Sequence, residues 1–369
     1  MSDFRLGLVL GGGGMRGFAH IGALAALAER GWEPAEIVGT SIGALVGAAW
    51  ATGFSLEESA ALALSMRRKD LFRIAHADMA FKRMRSPALY RPEPLEDVVT
   101  GLLGDATFRD LPRRLIVASV EINSGTQAFF GLPGLDDVRV ADAVYASCAL
   151  PGFFPPREIG GRWWVDGALV DNLPVRLAAA RGHDAVVGVD VGASGVLRAD
   201  THESGFAGIF ARATEIVFQQ ASEWHLKRWS GPPLLLVQPR VEHVPQFSFD
   251  HTRELIDEGQ RSTRLALAQA GDAVRAGRPG IHPRRAVLVQ VNRERCIGCG
   301  VCVSLQPEQF RMDATGKAVG PGAPVEWSPV DGGFVRQCPT YAITARPAPA
   351  PATVPSTAGG STGTGRGSA

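Results

Sequence analysis

Gly39-Thr40-Ser41-Ile42-Gly43 sits where two local patterns meet. Glu36-Ile37-Val38 reads as the end of a short strand. The run from Ile42 to Trp50 (Ile-Gly-Ala-Leu-Val-Gly-Ala-Ala-Trp) reads as a buried helix. The turn between them is tight enough that its flanks want glycine. A serine at its apex is lifted clear of the backbone, at a helix N-terminus whose amides favour developing negative charge. That suits a hydrolytic nucleophile. The same five residues also suit an ordinary helix N-cap serine, so the pattern needs support from elsewhere in the chain.

Leu6-Gly7-Leu8-Val9-Leu10 has the apolar character of a buried parallel strand. It runs into Gly11-Gly12-Gly13-Gly14-Met15-Arg16-Gly17 and then a helical pattern from Phe18 to Arg30. Consecutive glycines at a helix N-terminus expose their amides as a nest for a phosphate or an oxyanion. The dinucleotide reading expects an acidic residue at the end of the second strand. Here Glu36 precedes that strand and Thr40-Ser41 end it, which counts against nucleotide binding. No Lys-Ser or Lys-Thr follows the loop, so a P-loop is excluded. Farther on, Trp163-Trp164-Val165-Asp166-Gly167-Ala168 places a carboxylate after an aromatic strand, where it would be partly desolvated. A plain Asp-Gly turn is the simpler alternative. Ala146-Ser147-Cys148-Ala149-Leu150-Pro151 reads as a helix end running into an apolar wall.

Over roughly residues 5 to 240 the chain resembles the patatin-like phospholipase family. The resemblance is carried by the glycine loop at 12–17, Gly39-Thr40-Ser41-Ile42-Gly43, the Ala-Ser-x-Ala-x-Pro block at 146–151 and Asp166-Gly167-Ala168, in that order. Many members carry an aspartate where this chain has Gly11. The resemblance implies a three-layer α/β fold with a largely parallel sheet and a Ser–Asp dyad in place of a triad. Ser41 would be the nucleophile and Asp166 the general base. The amides of Gly12, Gly13 and Gly14, with Arg16 nearby, would form the oxyanion hole. A free aspartate, with a pKa near ~3.9, is a weak base at neutral pH, and burial would strengthen it. Of the eight histidines only His20 lies near this site by sequence, and it reads as a structural helix residue.

Four of the five cysteines fall late in the chain, as Cys296-x-x-Cys299-x-x-Cys302 and Cys338-Pro339. Zinc sites use separated Cys-x-x-Cys pairs, whereas three thiolates at intervals of three plus a remote Cys-Pro suit an iron–sulfur cluster. Residues 285–346 resemble a single-cluster bacterial ferredoxin, a small α+β domain. That resemblance implies one [4Fe–4S] cluster on Cys296, Cys299, Cys302 and Cys338. Cys148 reads as a small buried residue.

The 369 residues carry a net charge of +1, which gives no electrostatic case for nucleic acid. No signal peptide and no transmembrane helix is expected, and thiolate ligation suits the cytoplasm. The domains expected are 1–280 for the hydrolase, 285–346 for the ferredoxin-like module and a disordered tail at 347–369. Strands are expected near 6–10, 36–39, 115–120, 185–190 and 234–238, and helices over 18–30, 42–52, 56–68, 204–228 and 250–277. Phe206, Ile209, Phe210, Ile216 and Val217 recur at helical spacing and read as core. Arg67-Arg68-Lys69 and Lys82-Arg83-x-Arg85 flank a stretch, 70–92, that reads as a solvated loop rather than a lid. The function the resemblance implies is a serine acyl hydrolase of phospholipase A or lysophospholipase type, with an appended iron–sulfur module that would regulate or stabilise it. Its partners would be a lipid or ester substrate and a redox protein, with transient membrane-surface contact. The alternative is an electron-transfer or redox-sensing protein whose hydrolase domain is secondary.

Overall fold

The computed structural model describes residues 4–75, 88–192 and 205–348. The expected tail from 349 onward, Lys82, Arg83 and Arg85 lie outside them. The chain forms two compact units, Met1–Arg284 with Trp327–Arg336, and Arg285–Glu326 with Gln337–Ala369.

The first unit is built on one nine-stranded sheet. Strands β1 (Leu6–Leu10), β2 (Pro34–Thr40), β3 (Arg114–Glu121), β4 (Gln127–Phe130), β5 (Arg157–Ile159), β6 (Arg162–Asp166), β7 (Ala185–Val189), β8 (Leu234–Val237) and β9 (Ile281–His282) contribute to it. Their order is β5-β6-β3-β2-β1-β7-β8-β9, with β4 also on β3. The β3-β2-β1-β7-β8-β9 run is parallel, while β4, β5 and β6 pair antiparallel at the β3 side. Chain order reverses around β1, so the crevice outside the carboxyl ends of β1 and β2 is where such sheets place a site.

The strands are apolar on both faces because both are covered. Leu6, Leu8 and Leu10 of β1 pack into the larger layer, and Val9 between them into the smaller one. The larger layer takes helices α1 (Ala19–Glu29), α2 (Ile42–Ala51), α3 (Leu56–Ser65), the single turn α4 (Arg68–Leu71), α5 (Glu93–Leu103) and α6 (Val140–Cys148). The smaller takes α7 (Val175–Ala180) and Leu226 of α8 (Gly205–Lys227). Helix α9 (Thr252–Arg275) crosses α1 at closest range where Gly22 faces Ile256 and Gly259 faces Ala19.

Two expectations need correcting. The helix expected over 56–68 ends at Ser65, because Met66 and Arg67 turn extended before α4 begins. Ile209, Phe210, Ile216 and Val217 are not core: they are 48, 38, 45 and 58% exposed. The stripe of α8 that turns inward instead carries Glu215, Ser222 and Leu226, and Glu215 is buried by an ion pair rather than by apolar contact. The Phe206 side chain lies outside the described residues.

Trp327–Arg336 packs with the first unit although it lies inside the stretch read as the C-terminal domain. Val330 joins the smaller apolar layer, the Trp327 and Phe334 rings meet edge to face at 5.5 Å, and Arg336 pairs with Glu223 of α8. The second unit has a three-stranded sheet of β10 (Arg285–Val291), β13 (Val325–Trp327, whose last residue is counted with the first unit) and β14 (Ile343–Pro347). It also has a β11–β12 hairpin (Arg311–Met312, Ala318–Val319) and the short helix α10 (Val301–Leu305).

A methyl group at Gly259 would run into the backbone of Ala19. Gly259→Ala is therefore expected to lower stability by about 1–3 kcal/mol, the usual cost of overpacking. A urea midpoint equal to that of the wild type would contradict the close crossing.

Candidate active site

Ser41 stands between β2 and α2 with φ 54° and ψ −126°. Left-handed backbone at a non-glycine residue costs about 1–3 kcal/mol and persists only where neighbours hold it. Here they do. The Ser41 N–H donates to Ser147 Oγ at 2.8 Å, and the Ser147 hydroxyl donates to the Ala118 carbonyl at 2.6 Å. A Cβ at Gly43 would lie 2.6 Å from the Leu10 carbonyl carbon, and one at Gly39 2.7 Å from the Ala44 nitrogen. The turn closes only because both flanks lack side chains.

Asp166 ends β6, opposite Ser119 of β3, and its N–H donates to the Ala149 carbonyl at 3.1 Å. The antiparallel β5–β6 edge thus carries the carboxyl to the carboxyl end of the parallel sheet. The residue is 3% exposed. Burial pushes its pKa up to about 7, against hydrogen bonds from the Ala168 N–H (2.9 Å to Oδ1) and the Ser41 hydroxyl. Ser41 also reaches the Cys148 thiol, which burial and then the neighbouring Asp166 charge push far up, so Cys148 stays neutral.

The glycine loop meets this pair at Gly12, where an added Cβ would lie 3.0 Å from Ser41 Cβ. Not all the donors expected of it point to an oxyanion. The Gly12 N–H is committed to Asn172 Oδ1 at 2.9 Å, and Asn172 Nδ2 returns a bond to the Gly12 carbonyl at 3.1 Å. The Arg16 guanidinium, 1% exposed, is spent on Glu215 at 2.8 Å and on the carbonyls of Val244 and Glu242 at 2.8 and 3.3 Å. Arg16 thus braces the loop, fastened to α8 through Glu215. The Gly11 N–H goes to Val189 and the Met15 N–H to Gln246. Among the described residues the amides of Gly13 and Gly14 are left with no acceptor.

His20 Nε2–H donates to the Gly11 carbonyl at 2.7 Å, and burial pulls its pKa down to about 4, so the ring is neutral. Among the described residues no histidine bonds Ser41. His76 and His202 lie outside them. Ser147 stands in the Ala146–Pro151 stretch and Asn172 six residues after Asp166, yet the sequence assigned neither a task. A buried asparagine next to an apolar turn was the available signal.

In the second unit Cys296, Cys302 and Cys338 border one small apolar cluster with Ala318 and Ala342, while Cys299 is exposed between Gly298 and Gly300. The Ala318 N–H points to Cys296 Sγ at 3.5 Å and the Ala342 N–H to Cys338 Sγ at 3.3 Å. Burial raises the Cys338 thiol pKa, but N–H bonds from Thr340 and Ala342 outweigh it and hold the thiol below its ordinary value. Burial pushes the Cys302 thiol up. Four cysteines with backbone amides aimed at two of the sulfurs fit an iron–sulfur cluster. Among the described residues no three His, Cys, Asp or Glu side chains already converge as a metal site. No described helix is long and apolar enough to cross a membrane.

The chain is similar to several known proteins. An uncharacterized NTE family protein of Mycobacterium tuberculosis (strain H37Rv) is 33% identical over 193 residues, 52% of this chain and 51% of the relative. A second from the same strain is 28% identical over 293 residues, 73% of this chain and 48% of the relative. Lysophospholipase NTE1 of Candida glabrata is 34% identical over 201 residues, 52% of this chain and 11% of the yeast protein. The chain spans about half the length of the mycobacterial relatives it matches. The crystal structure of VipD from Legionella pneumophila aligns with a TM-score of 0.41 at 14% identity, over 74% of this chain and 67% of that one. Family models match at two places, so the chain carries a patatin-like phospholipase domain over residues 8–179 and a 4Fe-4S single cluster domain over residues 289–331.

Proposed function

We propose that the chain is a lipid acyl hydrolase of phospholipase A or lysophospholipase type working through a Ser41–Asp166 dyad. The observation that carries this reading is the Ser41 hydroxyl hydrogen-bonded to a buried carboxylate whose pKa is pushed up to about 7. A base poised near the working pH is what general-base catalysis requires. Asp166 takes the hydroxyl proton as Ser41 Oγ attacks the ester carbonyl. The amides of Gly13 and Gly14, with the N-terminus of α2, stabilise the oxyanion. Asp166 returns the proton to the leaving alkoxide, which departs as an alcohol and leaves the acyl group on Ser41. Water, deprotonated by the same carboxylate, then releases the fatty acid and restores the serine.

Cys296, Cys299, Cys302 and Cys338 are assigned to one [4Fe–4S] cluster, with the Ala318 and Ala342 amides supporting two of the sulfurs. Cys338 falls beyond the matched 289–331 span and rests on its amide-lined pocket. Such a cluster supplies a one-electron couple. One feature supports an influence on hydrolysis. The segment between the third and fourth cysteines includes Trp327–Arg336, which packs with the hydrolase unit and pairs with Glu223 of α8, the helix whose Glu215 holds Arg16.

Ser41→Ala is expected to bring hydrolysis of short-chain p-nitrophenyl esters to background, and unchanged turnover would sink the dyad. Asp166→Asn is expected to be inactive too, with an opposite effect on stability. A carboxyl whose folded pKa is raised stabilises the fold fully below about pH 4 and loses that contribution as pH rises through about 7. The asparagine variant should therefore gain on the wild type in Tm by several degrees between pH 5 and pH 8, and parallel melting at both would contradict the burial. Protein prepared without oxygen should be brown, absorbing near ~400 nm, with the band lost in Cys338→Ser. Colourless protein with stoichiometric zinc would overturn the cluster. Removing the cluster should change the esterase rate, and an unaltered rate would refute the coupling.

A further inference from the structure

Each end of the glycine loop is tied to the body of the protein by backbone bonds. The Gly11 N–H donates to the Val189 carbonyl at 3.1 Å, and the Met15 N–H to the Gln246 carbonyl at 2.8 Å. Between these anchors lie Gly12, Gly13 and Gly14. Glycine on both sides of a peptide leaves that peptide little resistance to rotation as a unit. Among the described residues the central stretch is held by a single side chain. Asn172, 4% exposed, accepts from the Gly12 N–H at 2.9 Å and donates to the Gly12 carbonyl at 3.1 Å.

The second of those bonds has a directional consequence. The Gly12 carbonyl and the Gly13 N–H belong to one planar trans peptide, so they point in opposite directions. Fixing the carbonyl against Asn172 Nδ2 fixes the Gly13 N–H on the far side. Gly192 keeps the pocket free for this amide, since a Cβ there would fall 2.9 Å from Asn172 Nδ2 and 3.3 Å from the Gly12 carbonyl oxygen. Asn172 is also placed by the segment that carries the carboxylate. From Asp166 the chain makes one turn, Gly167–Leu169, in which the Asp171 N–H bonds the Gly167 carbonyl at 3.2 Å. The Leu173 N–H then bonds Asp171 Oδ1 at 3.1 Å.

We propose that Asn172 is a positioning residue that locks the Gly12–Gly13 peptide and so aims the Gly13 N–H at the oxyanion. The inference rests on the serine hydrolase reading above. One short segment then sets both the base and the direction of the oxyanion donor. Without the lock the peptide flips, and the hole presents a carbonyl where it should present an N–H.

The test uses the full chain with its cluster. Wild type, Ser41→Ala, Asn172→Ala and Asn172→Asp are compared on a short-chain p-nitrophenyl ester. A matching alkyl trifluoromethyl ketone, which adds to a catalytic serine as a tetrahedral oxyanion, serves as inhibitor. Asn172→Ala is expected to lower kcat about a hundredfold, the usual loss for one oxyanion donor, with KM within roughly threefold. The ketone should weaken in proportion to kcat/KM. Asn172→Asp keeps an acceptor for the Gly12 N–H but has no donor for the Gly12 carbonyl. It should lose nearly as much as the alanine variant, and it carries the test alone if that variant fails to fold. A loss of kcat with unaltered ketone inhibition would mark a merely structural role and overturn the proposal. So would Asn172 variants of wild-type rate beside an inactive Ser41→Ala. Activity surviving in Ser41→Ala would overturn the serine reading itself, and the inference with it.

Discussion

Asp166 ends its strand 3% exposed, with the Ala168 amide and the Ser41 hydroxyl on its carboxyl group. In water this group would be ionised well below neutrality and would be a weak base. In this setting desolvation works against its charge, and the hydrogen bonds return only part of the cost. The rest of the site follows from that balance. In the proposed reading the serine needs no histidine, because burial pushes the carboxyl's pKa up to about 7, near the pH at which a proton must move. The imidazole closest in sequence, His20, is buried, neutral and bonded to Gly11.

Holding a strained serine against such a group calls for a stiff frame, and the frame is made from backbone hydrogen bonds and buried polar side chains. Ser147 fastens the Ser41 amide, Asn172 fastens Gly12, and Arg16 fastens the loop to Glu215. A buried ion pair such as Arg16–Glu215 is a poor source of net stability, because desolvating both charges offsets their attraction. It is costly to break from one side only. Its value here is geometric: it ties a flexible glycine-rich turn to a 23-residue helix. That same helix receives Arg336, two residues before the last cysteine.

Much of this was legible in the sequence, for local reasons. Parallel strands buried on two faces are continuous apolar runs, so β1, β2, β3, β7 and β8 show themselves. Glycines that a turn cannot do without mark Ser41, and cysteine spacing marks the second unit. What was not legible depends on distant partners. The short strands β4 and β5 have no pattern of their own and form because β3 and β6 offer edges. Arg16 reads as a donor near an anion until Glu215, 199 residues away, is seen to occupy it. Asn172 has no assigned task until Gly12 arrives beside it. Helix α8 misled by its periodicity: its apolar spacing describes an exposed face, while a carboxylate and a serine turn inward.

The central claim is that a buried aspartate, and no histidine, takes the proton from Ser41. The pH dependence of kcat/KM on a short-chain ester, measured for the full chain across the range in which the fold is intact, tests it most directly. The account predicts one ascending limb centred near pH 7, set by Asp166. It also predicts that the limb keeps its position when His20 is replaced by glutamine. A rate already at its plateau at pH 5, or a limb that disappears with His20, would contradict it.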